Sequence, residues 1–535
     1  MPQPDPRVER FVRIASLLLA LAVAITWAGT LDAPFTYDDK IEVVGNPTIR
    51  ALTEWRAIVG YNLARPLLIG SYALNWALGG FDPRGYHLLS IALHALNAVL
   101  AFALLRRLMD IDRALLGAAL WALHPMTTEG VTYITGRSDA LCATGWLLAL
   151  GAWIDHMRGA PSAGPWTARR RLWAGFLVAL LSKELVLGLP LAMWAIEGAL
   201  LGRARPAAER RRDYGPFLLI LGLAVVGRLV AMGGLRPEVP RGVLEHLVGQ
   251  ATAWAGYLRL WLLPLGQSVL HDLPARVDVE GVGALLAWGL AFGFALRRGG
   301  WAAAAALTWL AWHGPSSALP LKEVMAEHRT YLSGLVLTGL VAGLAPRAVG
   351  LLVPALLVGT VYRNQDWSSE LRLWTDAAHK NPASADAAYG AGDAARLAQR
   401  WDEAGTWYTR TLELRPDDVN ARVNLGIVAA EQDREQEAER WWKEALRLDP
   451  KQCAAHNNLG ALEVRRGELR EAAGWYNSSL RWCPDDPVAL FALAEVYERL
   501  GDLRAAAAGY QRYLEVVPFG PMRDAATERV RRLPR

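Results

Sequence analysis

Apolar side chains dominate the first two thirds of the chain in long continuous runs, and at about residue 364 they give way to charged residues at helical spacing. The first run, Phe11 to Leu31, is nearly free of charge after Arg13 and, at about 20 residues, is long enough to cross a hydrocarbon core as a helix. Further runs occupy 86–109, 113–131, 139–157, 171–183, 184–202, 214–232, 247–265, 280–296, 301–319, 331–345 and 347–362. An all-α, polytopic membrane bundle is therefore predicted. Arg7, Arg10 and Arg13 precede the first run with no evident small-residue cleavage site, so a retained span is expected rather than a cleaved signal.

Loop charge sets the orientation, because Lys and Arg favour the cytoplasmic side. Arg106-Arg107, the segment Arg158 to Arg171, the loop Arg203 to Arg212, Arg297-Arg298 and Arg347 are all expected there. These positions agree only if the run 247–265 does not cross completely. The stretch 233–275 then reads as an external loop with an interfacial or re-entrant helix, leaving eleven crossings with the N-terminus inside and the C-terminal domain outside.

Beyond residue 364 a repeat emerges: Pro382, Pro416, Pro450, Pro484 and Pro518 lie 34 residues apart. In the same register fall Gly392, Gly426, Gly460 and Ala494, then Ala404, Ala438, Ala472 and Ala506, and the aromatics Trp374, Tyr408, Trp442, Tyr476 and Tyr510. This is the period of the tetratricopeptide repeat (TPR), in which small residues let paired helices pack closely and a proline closes the second helix. The predicted organisation is a membrane domain over 1–363, with a first external loop at 32–85, and a TPR α-solenoid over 364–535. The solenoid comprises a half repeat at 366–384, four repeats over about 385–520 and a cap at 521–535, and it continues almost directly from the last crossing, so it is expected to be docked on the membrane. Such arrays present a concave face to a peptide or protein, and Asn424, Asn457 and Asn458 are candidates to bond an extended backbone or, equally, to satisfy their own array.

Composition averages these halves: 535 residues, 53% hydrophobic, net charge +5, which is best read locally and gives no reason to expect a nucleic-acid partner. Of three cysteines, Cys142 falls in a span, while Cys453 and Cys483 come to the same end of one repeat. Two unpaired buried thiols are the favoured reading there, and a disulfide is allowed outside the cytoplasm.

Ionisable residues beside spans are costly and mark function. On the external side, Asp38 and Asp39 lie in Phe35-Thr36-Tyr37-Asp38-Asp39-Lys40, followed by Asn46-Pro47 and Arg65-Pro66. The second turn reads His124-Pro125-Met126-Thr127-Thr128-Glu129 and continues to Gly136-Arg137-Ser138-Asp139, the third is Ser182-Lys183-Glu184, and the fifth holds Lys322, Glu323, Glu327, His328, Arg329 and Tyr331. Carboxylates to deprotonate an acceptor hydroxyl and cations to hold a phosphate are what glycosyl transfer from a polyprenyl phosphate requires. Taken singly, an Asp pair at a helix end reads as a solvated cap, and Glu129, Arg137 and Asp139 equally fit a buried ionic network. His87, His94 and His124 lack metal-ligand spacing and read as packing histidines, with no zinc motif.

The ordered series Tyr37-Asp38-Asp39, Arg65-Pro66-Leu67, Gly85-Tyr86-His87-Leu88, His94-Ala95-Leu96-Asn97, His124-Pro125, Gly136-Arg137-Ser138-Asp139, Ser182-Lys183-Glu184 and Glu327 to Leu332 resembles the transmembrane and TPR-repeat-containing O-mannosyltransferase family and its bacterial relatives. The resemblance implies a GT-C-like bundle, a polyprenyl-phosphate sugar donor, inverting transfer, and repeats on the same side as the active site. It implies Asp38 or Asp39 as the acceptor-side base, with Asp38 preferred, and Glu129 as a support of the acceptor or of a loop hydrogen bond. Arg137, Lys183 and Arg329 would hold the donor phosphate, and Asp139 would orient Arg137. Arg65, His87, His124, Glu184, Glu327, His328 and Tyr331 would play supporting parts, although His328 departs from the residue relatives often show before the Arg. No resident cofactor is expected, although a divalent cation (Mg or Mn) at Asp38/Asp39 is an alternative use of the pair. Alanine- and arginine-rich composition with compact loops suits a bacterial member in the cytoplasmic membrane, its repeats in the periplasm or outside the cell. Expected partners are membrane lipid, the lipid-linked sugar and a protein or peptide acceptor, with protein Ser/Thr favoured. Alternatives are a non-catalytic membrane scaffold for envelope proteins and, more remotely, a lipid-linked glycan flippase or ligase.

Overall fold

Helix starts in the membrane half are set by proline and short polar caps: Asp5 accepts from the Arg7 amide ahead of Pro6, Asp82 from the Arg84 amide ahead of Pro83, and Asp278 from the Gly281 amide. The computed structural model describes residues 5–159, 167–202, 205–232, 241–273, 277–318, 320–344, 346–517 and 521–533. Parts of the expected loops (160–166, 203–204, 233–240 and 274–275), together with Pro518 and the last two residues, lie outside the described residues. The chain forms two units, Met1–Leu373 and Trp374–Arg535. Among the described residues the architecture is all-α, with one isolated bridge between His271 and Met325.

The first unit holds α1 (Pro6–Trp27), α2 (Trp55–Tyr61), α3 (Pro66–Gly79), α4 (Pro83–Leu105), α5 (Ile111–Ala122), α6 (Thr128–Thr132), α7 (Arg137–Met157) and α8 (Ala168–Leu180). It continues with α9 (Leu189–Leu201), α10 (Ala207–Met232), α11 (Val243–Leu262), α12 (Val279–Arg298), α13 (Gly300–Ser317), α14 (Ser333–Leu344), α15 (Pro346–Gly350) and α16 (Leu352–Asp366). Among the described residues five helical segments are long and apolar enough to cross a membrane: Pro6–Thr30, Pro83–Leu105, Glu184–Leu201, Ala207–Val230 and Val279–Arg298. Leu286, Leu290 and Phe294 of α12 and Leu219, Leu223 and Val230 of α10 are exposed, as suits contact with lipid. Several of the eleven expected crossings are shorter than their apolar runs: α5 and α14 have 12 residues each and α8 has 13. The run 113–131 stops as a helix at Ala122, because Pro125 has no amide hydrogen and the chain breaks into short turns through Thr132. Where α7 crosses α8, Gly145 and Gly175 bring the backbones together; a Cβ on Gly145 would sit 2.5 Å from the Ala179 nitrogen.

The second unit alternates α18 (Ala385–Leu397), α19 (Trp401–Leu414), α20 (Val419–Glu431), α21 (Glu435–Leu448), α22 (Cys453–Arg466), α23 (Leu469–Trp482), α24 (Pro487–Leu500), α25 (Leu503–Val516) and a final α26 (Pro521–Arg532), after α17 (Glu370–Lys380), which carries the boundary. The predicted small-against-aromatic pairing is the packing device: a Cβ on Gly392 would meet the Tyr408 ring at 2.8 Å, and one on Gly426 the Trp442 ring at 2.3 Å. Ser384, Asp418 and Asp502 cap their helices through backbone amides. Cys453 and Cys483 are joined in a disulfide, contrary to the favoured expectation of free thiols, because antiparallel pairing of α22 and α23 brings the start of one to the end of the other. Closing a loop of 30 residues, the bridge is worth about 3–4 kcal/mol in the chain-entropy account. The Cys453→Ser/Cys483→Ser protein is expected to melt several degrees lower in its repeat unit, and a reductant should give the same downward shift in the wild type and none in the variant.

Candidate active site

The acidic pair diverges. His87 Nε2 donates to the Ala33 carbonyl at 2.9 Å, pinning the chain after α1. Tyr37 then takes a left-handed backbone conformation, φ +54°, ahead of the pair. Asp39 is 1% exposed and accepts from the Thr135 amide at 2.8 Å, the Thr135 hydroxyl at 2.7 Å and the Thr36 amide at 3.3 Å. Burial pushes its carboxyl up to about 7 even though these three hydrogen bonds pull the other way. Asp38, by contrast, is exposed and opens onto a cavity. The pair therefore does not present two carboxylates to one site, and among the described residues no group of three or more His, Cys, Asp or Glu is placed to hold a metal.

The cavity has a volume of about 350 Å³, and most of its walls come from the external segments picked out in the sequence, with Val269 and Ser316 added from elsewhere. Asp38 and Tyr37 enter from the first loop, Arg65 from the start of α3, Glu129 and Gly136 from the 124–139 turn, Lys183 and Glu184 from the loop after α8, and Lys322, Glu323, His328 and Arg329 from the segment before α14. Gly136 is needed for the close turn, since a Cβ there would lie 2.7 Å from the Glu129 carbonyl oxygen. Arg65 faces Glu184 at 3.4 Å, and Lys183 donates to Asp139 at 2.7 Å, a pair only 6% and 0% exposed. Arg329 donates to the backbone carbonyls of Glu323 and Val324 at 2.9 and 3.5 Å, so in these contacts its charge is met by dipoles. Glu323 accepts from the Tyr37 hydroxyl.

Glu129, which is buried, and His328, which is half-buried on the cavity wall, form a couple, Oε1 to Nδ1 2.6 Å. Burial, reinforced by the nearby Glu327 carboxylate, pushes Glu129 up to about 8, while burial lowers His328 to about 4. Burial thus favours the neutral form of both groups.

Arg137 is not in the cavity. It is fully buried and donates to the Ser90 hydroxyl (3.1 Å), the Ser71 hydroxyl and Asn75 Oδ1 (both 2.9 Å) and the Tyr86 carbonyl (2.7 Å), with the rings of Tyr72 and Tyr86 beside it. Held by neutral acceptors and turned from the cavity, it ties α3 and α4 to α7 and is not positioned as a donor-phosphate ligand. Asp139 accordingly orients Lys183, not Arg137. Of the other supporting residues, Glu327 accepts from the Ser268 amide, Gln267 and His271, fixing the segment after α11. His124 bonds the Trp261 carbonyl, and Tyr331 bonds His94 and Asn97 in the core below the site. In the repeats, Asn424 donates to the Tyr389 hydroxyl at 3.0 Å and Asn457 to Asp486 at 2.6 Å, whereas the buried Nδ2 of Asn458 has no hydrogen-bond partner.

Sequence reasoning passed over Tyr37, Tyr133 and Thr135 as site residues, although all three line the cavity. Tyr37 sits next to the acidic pair, and adjacency was the available signal; Tyr133 and Thr135 lie between two recognised strings and carry none.

A tetratricopeptide repeat family model matches residues 361–419, 408–452 and 423–487. The chain is 28% identical over 261 residues to the protein O-mannosyl-transferase Tmtc2 of Drosophila melanogaster, covering 45% of this chain and 27% of that one. It is 33% identical over 205 residues to the human protein O-mannosyl-transferase TMTC4, covering 32% and 27%. The chain thus spans about a quarter of the length of these relatives, and their names bear out the resemblance carried by the motifs. Among solved structures, TTC0263, a thermophilic TPR protein of Thermus thermophilus, is 22% identical over 34% of this chain and 95% of its own, with a TM-score of 0.28.

Proposed function

We propose that the chain is a membrane glycosyltransferase that moves a sugar, mannose by analogy with the relatives' names, from a polyprenyl-phosphate donor to a Ser or Thr hydroxyl of a protein. The observation that carries this reading is the single exposed aspartate, Asp38, opening onto a cavity lined by Arg65, Lys183, Lys322 and Arg329. Asp38 takes the proton of the acceptor hydroxyl as its oxygen bonds to the anomeric carbon; the bond from that carbon to the phosphate oxygen breaks with its electron pair going to the phosphate. Attack from the face opposite the phosphate inverts the anomeric centre. Arg329 and Lys183 neutralise the leaving group, with Arg65 beside them, in a cleft where low dielectric strengthens each contact. Asp39 positions Asp38 by tying the first loop to Thr135.

The disulfide between Cys453 and Cys483 supports an oxidising, extracytoplasmic compartment for the repeats, in line with the charge of the loops. The repeats would hold the acceptor protein.

The donor class is tested by offering the purified protein, in liposomes, labelled polyprenyl-phosphate sugars and the matching nucleotide sugars with peptides rich in Ser and Thr. Label is expected on peptide from the lipid donors alone; transfer from the nucleotide sugars, or from neither class, would contradict the reading. The same assay carries a pH prediction. Burial pushes Glu129 up to about 8, so its neutral form prevails below that pH and gives way above it to a buried carboxylate beside the His328 ring. Transfer should decline above about pH 8, and Glu129→Gln, which stays neutral, should remove that alkaline limb.

A further inference from the structure

The repeat unit carries a second row of aromatics beside the rings that pack its paired helices. The packing aromatics Tyr408, Trp442 and Tyr476 are at most 4% exposed. The residue immediately before each of them is a tryptophan, Trp407, Trp441 and Trp475, again 34 residues apart, and these three are only half-buried. Second helices α19, α21 and α23 thus display three indoles in one register, on a different side of each helix from the ring that packs. Trp407 and Trp441 are walls of one groove of about 710 Å³, with Leu425 and Val428 from α20 also lining it.

Charge in the groove cancels locally. Arg410 pairs with Glu413 at 2.7 Å, and Arg434 with Glu437. An ionic ligand gains little from such a lining, whereas a ligand rich in hydroxyls finds both donors and acceptors. Trp441 spends its indole N–H on Glu437 at 3.3 Å and carries the Arg440 guanidinium 5.2 Å from its ring centroid on one face, so what it offers a ligand is the opposite ring face. A proline-rich segment docking between tryptophans needs that N–H for its carbonyls; a pyranose needs the electron-rich face for its axial C–H groups. We propose that this groove is a binding site for a neutral oligosaccharide, with sugar rings stacked on Trp407 and Trp441 and hydroxyls bonded to Arg410 and Glu437. The site stands independently of the transfer chemistry assigned to the membrane unit.

The test uses the full chain in phosphatidylcholine nanodiscs, free of sugar-based detergent, with binding followed by saturation-transfer NMR and tryptophan fluorescence. Probes are α-mannotetraose and cellotetraose as neutral chains, an oligogalacturonate as an acidic one, and a proline-rich decapeptide. At least one neutral tetrasaccharide is expected to bind saturably, and Trp407→Ala and Trp441→Ala should each raise its Kd by about 3- to 10-fold. Trp441→Phe should lose less, and Trp482→Ala, removing an exposed tryptophan that does not line the groove, should lose nothing. Unchanged melting of the Phe variant separates a lost contact from a lost fold. Failure of every neutral probe to bind, a Kd indifferent to the alanine variants, or preference for the acidic chain or the peptide would overturn the proposal.

Discussion

Asp38→Asn is expected to lower sugar transfer by about 10²- to 10⁴-fold, the range a positioned general base contributes, while leaving donor binding and melting temperature close to wild type. The asymmetry with its neighbour makes this informative. Asp39 spends both oxygens on Thr135 and Thr36, so Asp39→Asn places an amide nitrogen against a backbone donor and should loosen the first loop. That variant is expected to lose stability and activity together, whereas Asp38→Asn loses activity alone. Equal thermal shifts in the two variants would contradict the assignment of base to one and tether to the other.

The second large effect falls on Lys183. Its partner Asp139 has a fully buried side chain, and one of that carboxylate's oxygens already has no hydrogen-bond donor. Removing the ammonium in Lys183→Met strands a buried charge, at a cost of about 3–5 kcal/mol. Thermal unfolding of the purified protein should show the loss directly. The double variant Lys183→Met/Asp139→Leu removes both charges and is expected to regain most of that stability without regaining transfer, because the cation proposed to face the donor phosphate is still missing. Recovery of activity in the double variant would make Lys183 a purely structural residue.

Much of this organisation is legible in the chain. Continuous apolar runs announced the membrane helices, since burial or lipid contact on every side needs no polar face, and the 34-residue register fixed the repeat helices through small residues opposite aromatics. Gathering of the loops was legible too, because Asp38, Glu129, Lys183, Glu184, His328 and Arg329 line one cavity. What could not be read is direction. Nothing in Tyr37-Asp38-Asp39 says that Asp39 bonds Thr135 and Thr36 inside the protein while Asp38 opens onto the cavity. Arg137 misled for a related reason: its acceptors Ser90, Asn75 and Ser71 lie 47, 62 and 66 residues earlier, and each is ordinary in sequence. The disulfide likewise depends on how tightly α22 and α23 close, which spacing allows but does not require.

The most direct measurement is single-turnover transfer in proteoliposomes. Wild type, Asp38→Asn and Asp39→Asn are each loaded with a labelled polyprenyl-phosphate mannose and mixed with a Ser/Thr peptide, while glycopeptide and released polyprenyl phosphate are followed together and the anomeric configuration of the product is read by NMR. The account predicts stoichiometric formation of both products by wild type with inversion, and near-complete loss in a folded Asp38→Asn protein. Transfer by Asp38→Asn at the wild-type rate, or a retained anomeric configuration, would contradict it.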